Sequence, residues 1–389
     1  MTTLQLAVRN LRAAGIHTWL NAFALSLAFV AIIFGQGLLE GVNRQAEQAS
    51  IAFEFGDGQF WHKQYDPYDP LTIDNAHAPI PEELKPLLNS GAAMPILIIP
   101  GSVYFAGKML PVLIKGIPAD QKVLKIPSAM LTDTTKDLPV LLGQQMAKTA
   151  GAGVGDYLTI QWRDARGAFD ARQARVVGIM HTSVSTIDQG QVWLPLNKLW
   201  ELTTMAGQAT LITVKKKPIP VPALPDWDFR SLDFLLADLR TMIKTKTVGQ
   251  SIMFIVLFLL AMLAIFDTQV FSIFRRRREI GMLIALGLTR AQVIAMFTFE
   301  GALYGVLATL LGTIYGTPLF IYLSARGISF PGSAQWGFAL QERMYPVYPL
   351  SLILGTTLLV LITATFVSWL PTRRIARLKP TDALRGKGI

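Results

Sequence analysis

The chain has 389 residues, of which 51% are hydrophobic and 16% charged, and 36 Lys+Arg against 26 Asp+Glu give it a formal charge of +10. Soluble domains carry about 25% charged residues, so the deficit places much of this chain against lipid. The sequence has no cysteine, which excludes disulfides, thiolate metal sites, a cysteine nucleophile and a lipid-modified N-terminal cysteine.

In chain order, residues 1–18 read as an amphipathic helix on the inner membrane face. Leu4, Val8 and Leu11 recur at helical spacing, with Arg9, Asn10 and Arg12 on other faces. Residues 19–41 form a first apolar span, too long for the core of a cleaved signal peptide and followed by no small-residue cleavage site, so it is expected to be retained. Further spans are predicted over 247–274, 293–324 and 349–370, each long enough for a bilayer that needs about 20 apolar residues. The expected fold is an α-helical membrane protein with four transmembrane helices and a large extracytoplasmic α+β domain, residues 42–246, between helices 1 and 2.

Within 42–246 the apolar runs 96–99, 103–105 and 111–114 predict strands, the last two joined by a hairpin turn at Ala106-Gly107-Lys108. Strands are also predicted from Val140, over 157–162, 175–179, 191–194 and 211–214. Helices are predicted over 144–150 and 197–204, the latter with Asn197 as N-cap. The mixture suggests two lobes. A Pro-rich connector, 218–225, precedes a helix over 233–244 that leads into the second span.

The distribution of charge sets orientation. Residues 42–246 hold 21 basic and 20 acidic residues, and the remainder holds 15 and 6. Thirteen of these 15 basic residues fall in three groups near span ends: Arg9 and Arg12, then Arg275 to Arg278 with Arg290, then Arg373, Arg374, Arg377, Lys379, Arg385 and Lys387. Four spans put all three groups on one side, with both termini, segment 275–292 and tail 371–389 cytoplasmic and the short loop 325–348 outside. Trp336, Phe338, Tyr345 and Tyr348 in that loop suit an interfacial belt. A nucleic-acid binder would instead carry its basic residues as a patch on a folded domain.

Several chemistries are missing. There is no G-x-x-x-x-G-K-[ST] loop for nucleotide phosphates, and Gly151 to Gly155 lacks the Lys-Ser/Thr ending. His17, His62, His77 and His181 show no metal-ligand spacing, and no carboxylate pair or nucleophile elbow stands out. Two acids, Asp267 and Glu300, fall inside spans, where a carboxylate costs at least a few kcal/mol. Asp267 either pairs with the nearby arginines or serves a function; Glu300 makes either a polar helix–helix contact or a mechanistic one.

Arg277-Arg278-Glu279-Ile280-Gly281, Ala285-Leu286-Gly287, then Glu300 and glycines through Gly316, resemble the membrane domain of FtsX/MacB/LolC-type ABC transporter permeases. The stretch from Leu370-Pro371 to Ala383-Leu384-Arg385 is similar to the family's C-terminal pattern, and Val8-Arg9-Asn10-Leu11 to its start. Leu138 to Gly143, Gly155-Asp156, Val176 to Ile179 and Asp188 to Leu194 look like the family's periplasmic core, and Trp227 resembles the lipoprotein-releasing (LolC/LolE-like) branch. Arg275, Asp267 and Thr372 depart from the residues usual at those positions.

The resemblance implies an inner-membrane subunit with no catalytic, cofactor or metal site of its own, ATP and Mg residing on a separate ATP-binding subunit. It implies a second permease copy or homologue, a lipoprotein cargo, a periplasmic carrier and contact with membrane lipid. Arg277, Arg278, Glu279, Ile280, Gly281, Ala285, Gly287 and Arg290 would couple to the ATPase. A cargo groove is expected where Phe29, Ile32, Ile33 and Leu38 face Ile252, Phe254, Ile255 and Phe258 across a dimer seam. The alternatives are MacB-like efflux with a periplasmic adaptor, or FtsX-like regulation of a periplasmic hydrolase.

Overall fold

The structure, a computed structural model of the chain, describes residues 16–132, 137–182, 184–216, 224–275, 277–329 and 343–375. The expected N-terminal amphipathic helix, most of the Pro-rich connector, Trp336, Phe338 and the tail from 376 lie outside the described residues. The chain divides into a β-rich unit, Asn43–Met242, and a helical unit that takes the chain up to Val42, Ile243–Ser329 and the residues from Arg343 on.

The β-rich unit begins on the last turns of α1 (Ile16–Ser50). At about 1.5 Å per residue this helix exceeds the roughly 30 Å hydrocarbon layer, so its end lies beyond the span. There follow β1 (Gly58–His62), β2 (Ala78–Pro79), α2 (Lys85–Asn89), β3 (Ala93–Phe105), β4 (Lys108–Ile117), β5 (Leu138–Gly143), α3 (Gln144–Ala150), β6 (Tyr157–Arg163) and β7 (Phe169–Met180). Then come α4 (Ser185–Asp188), β8 (Gln191–Pro195), α5 (Leu196–Thr203), β9 (Gln208–Ala209), β10 (Leu211–Val214), β11 (Trp227–Ser231) and α6 (Leu232–Leu235).

Nine strands form one sheet in the order β11-β1-β10-β3-β4-β8-β5-β7-β6, and β6 pairs back onto β3. Strands β3, β4, β8, β5, β7 and β6 therefore close into a ring, while β10, β1 and β11 extend from the first half of β3. The ring and the extension share this one long strand. The runs 96–99 and 103–105 are one strand because Pro100 falls where the edge of β3 passes from β10, paired through Ile96, to β6, paired from Gly101. A residue without an N–H is tolerated at such a break in the ladder.

The alternation along the ring strands sends Leu97, Ile99, Ile114, Val140, Leu142, Ile160, Trp162, Val176 and Val192 into one apolar cluster, closed by Met146 of α3 and Leu199 of α5. Ile96, Ile98, Ile117, Leu141 and Trp193 point the other way into a second cluster with Ala49 and Phe53. Both faces of β3 are buried from Ala93 to Ile99, which explains the continuous apolar run 96–99. The hairpin turn has both central residues at positive φ, Ala106 at 48° and Gly107 at 77°, the geometry that matches strand twist. Asn197 is not a cap: Pro195 precedes α5, and Asn197 sits inside its first turn.

The end of α1 winds into a π-helical turn, Ile51–Phe55, closed by Gly56 at φ 58°. On this turn the half-buried Glu54 carboxylate accepts from Thr186 Oγ1 at 3.1 Å. Burial pushes Glu54 above the usual carboxylate range, opposed by the charge of Lys115. Lys115 is itself buried with its ammonium 5.0 Å from the centre of the Trp193 ring, and burial pushes it below the usual lysine range. Nearby on the surface, Arg240 binds Glu47 and Asp233, each at 3.0 Å, and Tyr68 donates to Asp238.

The helical unit holds α7 (Ala237–Arg275, from Ile243 on), α8 (Arg277–Ala285), α9 (Arg290–Arg326) and α10 (Leu350–Ile375), with α1 up to Val42 and the short pair β12 (Ile328–Ser329) and β13 (Arg343–Met344). Among the described residues, three helices are long and apolar enough to cross a membrane: those starting at Ala22, Arg290 and Leu350. Within α7 the apolar run among the described residues is shorter, Ser251–Leu260.

Candidate functional site

Two parts of the helical unit are candidates: the turn between α8 and α9, and the helix contacts beyond it. Ile280 and Ile284 lie one turn apart on α8 and meet Val293, Met296 and Phe297 of α9, with Leu288 from the turn. The chain reverses at Gly287, at φ 101°, whose N–H donates to Ile284 O at 3.1 Å. Thr289 then caps α9 in a capping box: Gln292 N donates to Thr289 Oγ1 at 3.3 Å, and Gln292 Oε1 accepts from Thr289 N at 2.9 Å.

This places the expected coupling residues. Ile280 is buried and holds the turn together rather than offering a contact, and Gly281 is buried beside it. Ala285, Gly287 and Arg290 are exposed. The side chains of Arg277, Arg278 and Glu279 lie outside the described residues. Sequence reasoning passed over Met282 and Leu286 as contacts, yet they are 55% and 75% exposed. Their apolar character alone gave no sign of which way they point.

Glycines organise the helix contacts. Gly301 meets Ser368 and Gly305 meets Ala364, which lets α9 and α10 approach closely; Gly312 and Gly316 receive Phe29 and Val30 of α1. Glu300 is 1% exposed, within the packed face of α9, whereas Asp267 is exposed on α7. On α1, Gly35 receives the ring of Phe254, and Gly37 receives that of Tyr348. Tyr348 stacks on Phe320 with ring centroids 4.5 Å apart, and Val347 N donates to Gly37 O at 2.9 Å. Tyr348 thus packs helices together in addition to any interfacial role.

The expected groove residues separate. Phe29, Ile32 and Ile33 are buried inside the protomer, and Phe258 packs on the same cluster, so these side chains do not face a seam between two protomers. Leu38 is half-buried, as is Phe254 over Gly35. Ile252 and Ile255 are 59% and 56% exposed. The reason is the glycine pair on α9, which draws Phe29 inward. The outward face of α1 carries Leu20, Phe23 and Leu27 instead.

The profile of the MacB-like periplasmic core domain matches residues 18–221, more than half of the chain, and that of the FtsX-like permease C-terminal region matches residues 251–380. The chain belongs to the FtsX/MacB/LolC type of ABC transporter permeases. A lipoprotein-releasing system transmembrane protein LolC of Neisseria meningitidis serogroup B is 23% identical over 72% of this chain and 74% of its own length. A macrolide export ATP-binding/permease protein, MacB 2 of Aeromonas hydrophila, is 22% identical over 54% of this chain, which spans 33% of that longer protein. The crystal structure of the periplasmic region of MacB from Actinobacillus actinomycetemcomitans aligns at 13% identity with a TM-score of 0.30, covering 47% of this chain and 92% of that one. The permease assignment accounts for the FtsX-like stretch that contains α8, the turn and the glycine contacts of α9.

Proposed function

We propose that this permease works with a separate ATP-binding subunit to extract lipoproteins from the inner membrane and pass them to a periplasmic carrier. What supports the reading is the reach of the similarity to LolC, about three quarters of both chains. In this reading α1, α7, α9 and α10 are four spans, both termini are cytoplasmic, and the β-rich unit is periplasmic. The exposed face of Met282, Leu286 and Arg290 docks on the ATPase, fixed in place by Ile280 and the capped start of α9. A second permease copy or homologue packs against these spans in the membrane.

The MacB-like core keeps efflux through a periplasmic adaptor as the second reading. Depletion of the protein followed by membrane fractionation separates the two. Retention of lipidated proteins in the inner membrane, with release restored in proteoliposomes holding the permease, the ATPase and a soluble carrier, is the expected result. Normal lipoprotein sorting with increased drug sensitivity would establish efflux in its place.

A further inference from the structure

We propose that a groove between α9 and α10 holds an acyl chain of an anionic phospholipid, with the lipid headgroup at Arg373. The inference rests on these two helices crossing the bilayer and not on which cargo the complex moves.

The groove measures about 480 Å³ and is lined by Thr298 of α9 and by Leu361, Ile362, Thr365, Phe366 and Trp369 of α10. Its two hydroxyls are committed to their own helices. Thr298 Oγ1 donates to Ile294 O at 2.8 Å, and Thr365 Oγ1 donates to Leu361 O at 2.7 Å. Their protons are therefore not offered to a polar ligand, and the lining suits methylene groups. Ile362 and Phe366 are 59% and 56% exposed, so the groove opens outward along α10.

One end of the groove is different in kind. The Phe366 and Trp369 rings lie 5.9 Å apart, and the Arg373 guanidinium sits 5.1 Å from the centre of the Trp369 ring. An apolar trough that ends in an indole and then a cation has the layout of an amphiphile with a negative head. Tryptophan belongs at the headgroup level of a bilayer, and arginine presents paired donors to a phosphate. Apart from the indole N–H of Trp369 at its end, the trough offers a polar solute no side-chain donor. Under the proposed orientation this end is cytoplasmic, so the lipid comes from the inner leaflet.

The test uses the full permease complex in nanodiscs of equal parts phosphatidylethanolamine and phosphatidylglycerol, with a photo-crosslinking phenylalanine analogue at position 366. The expected product is a phospholipid adduct enriched in phosphatidylglycerol. Arg373→Gln should lower that enrichment about fivefold, the factor one interfacial arginine contributes toward anionic lipid, while Arg373→Lys keeps most of it. Thr365→Trp, which fills the trough, should remove the adduct while the complex still binds its ATPase. Crosslinks to a second protein chain, a lipid adduct at the bulk ratio, or enrichment unchanged in Arg373→Gln would each overturn the proposal.

Discussion

Gly301 faces Ser368 across the contact of α9 with α10 with no room for a side chain: a Cβ on Gly301 would overlap the serine hydroxyl. Ser368 is itself fully buried and its hydroxyl donates to Ala364 O at 2.8 Å, so it cannot swing aside without losing that bond. Membrane helices gain no hydrophobic drive from one another, and close approach at small residues is what holds such a pair.

Gly301→Val is therefore expected to destabilise the helical unit by about 1–3 kcal/mol, the usual cost of overpacking. A Cβ added to Gly355 on α10 would meet nothing within 4 Å, so Gly355→Ala should be neutral or slightly stabilising. Thermal unfolding of the purified protein in one detergent compares the two, and equal midpoints would refute the close contact.

Half-buried Glu54 and buried Lys115 predict an asymmetric response to substitution. Removing the carboxylate, as in Glu54→Gln, leaves the buried Lys115 ammonium without the charge that offsets its desolvation and should destabilise the unit, whereas the double variant with Lys115→Met should lie near the parent or above it. The pH dependence has a defined sign. Glu54 has a raised folded pKa, so its contribution to stability is present below the ordinary carboxylate range and is lost as pH rises through the folded value. Lys115 is lowered, so its contribution is present above the ordinary lysine range and is lost as pH falls through the folded value. Amide exchange in β4 and β8, followed against pH in parent and double variant, should show the double variant gaining on the parent across the neutral range.

At the hairpin tip, Ala106 holds a left-handed backbone at φ 48°, which costs an L-residue roughly 1–2 kcal/mol. Ala106→Gly relieves this but adds freedom to the unfolded chain, so the net expectation is a gain of up to about 1 kcal/mol. A calorimetric midpoint below that of the parent would show that the turn is not strained.

The α8–α9 turn separates support from contact. Ile280→Ala should loosen the turn by about 2–5 kcal/mol, because the cluster around Phe297 cannot refill the space. Gly287→Ala meets no atom within 4 Å but forces a side chain onto a positive φ, at roughly 1–2 kcal/mol. Leu286→Asp, at a site 75% exposed, should leave the fold intact and reduce co-purification of the ATP-binding subunit at least tenfold. Unchanged co-purification in Leu286→Asp would remove this face from the docking surface.

The sequence by itself determined what depends on neighbouring residues. Apolar runs marked α1, α9 and α10, and Ala106-Gly107 marked a hairpin, because length, periodicity and turn chemistry are local properties. The tertiary structure decided everything that joins distant residues. Strand β1 carried no reading in the sequence, since its partner β10 lies far along the chain: Gln59 Nε2 donates to Thr213 Oγ1 across 154 positions. The inward face of α1 was equally hidden. A helix apolar on all sides has no stripe to read, so only the notch at Gly312 reveals that Phe29 turns inward while Phe23 and Leu27 face out. The burial of Lys115 belongs to the same class, because a charged residue declares its solvation only when the fold has closed around it.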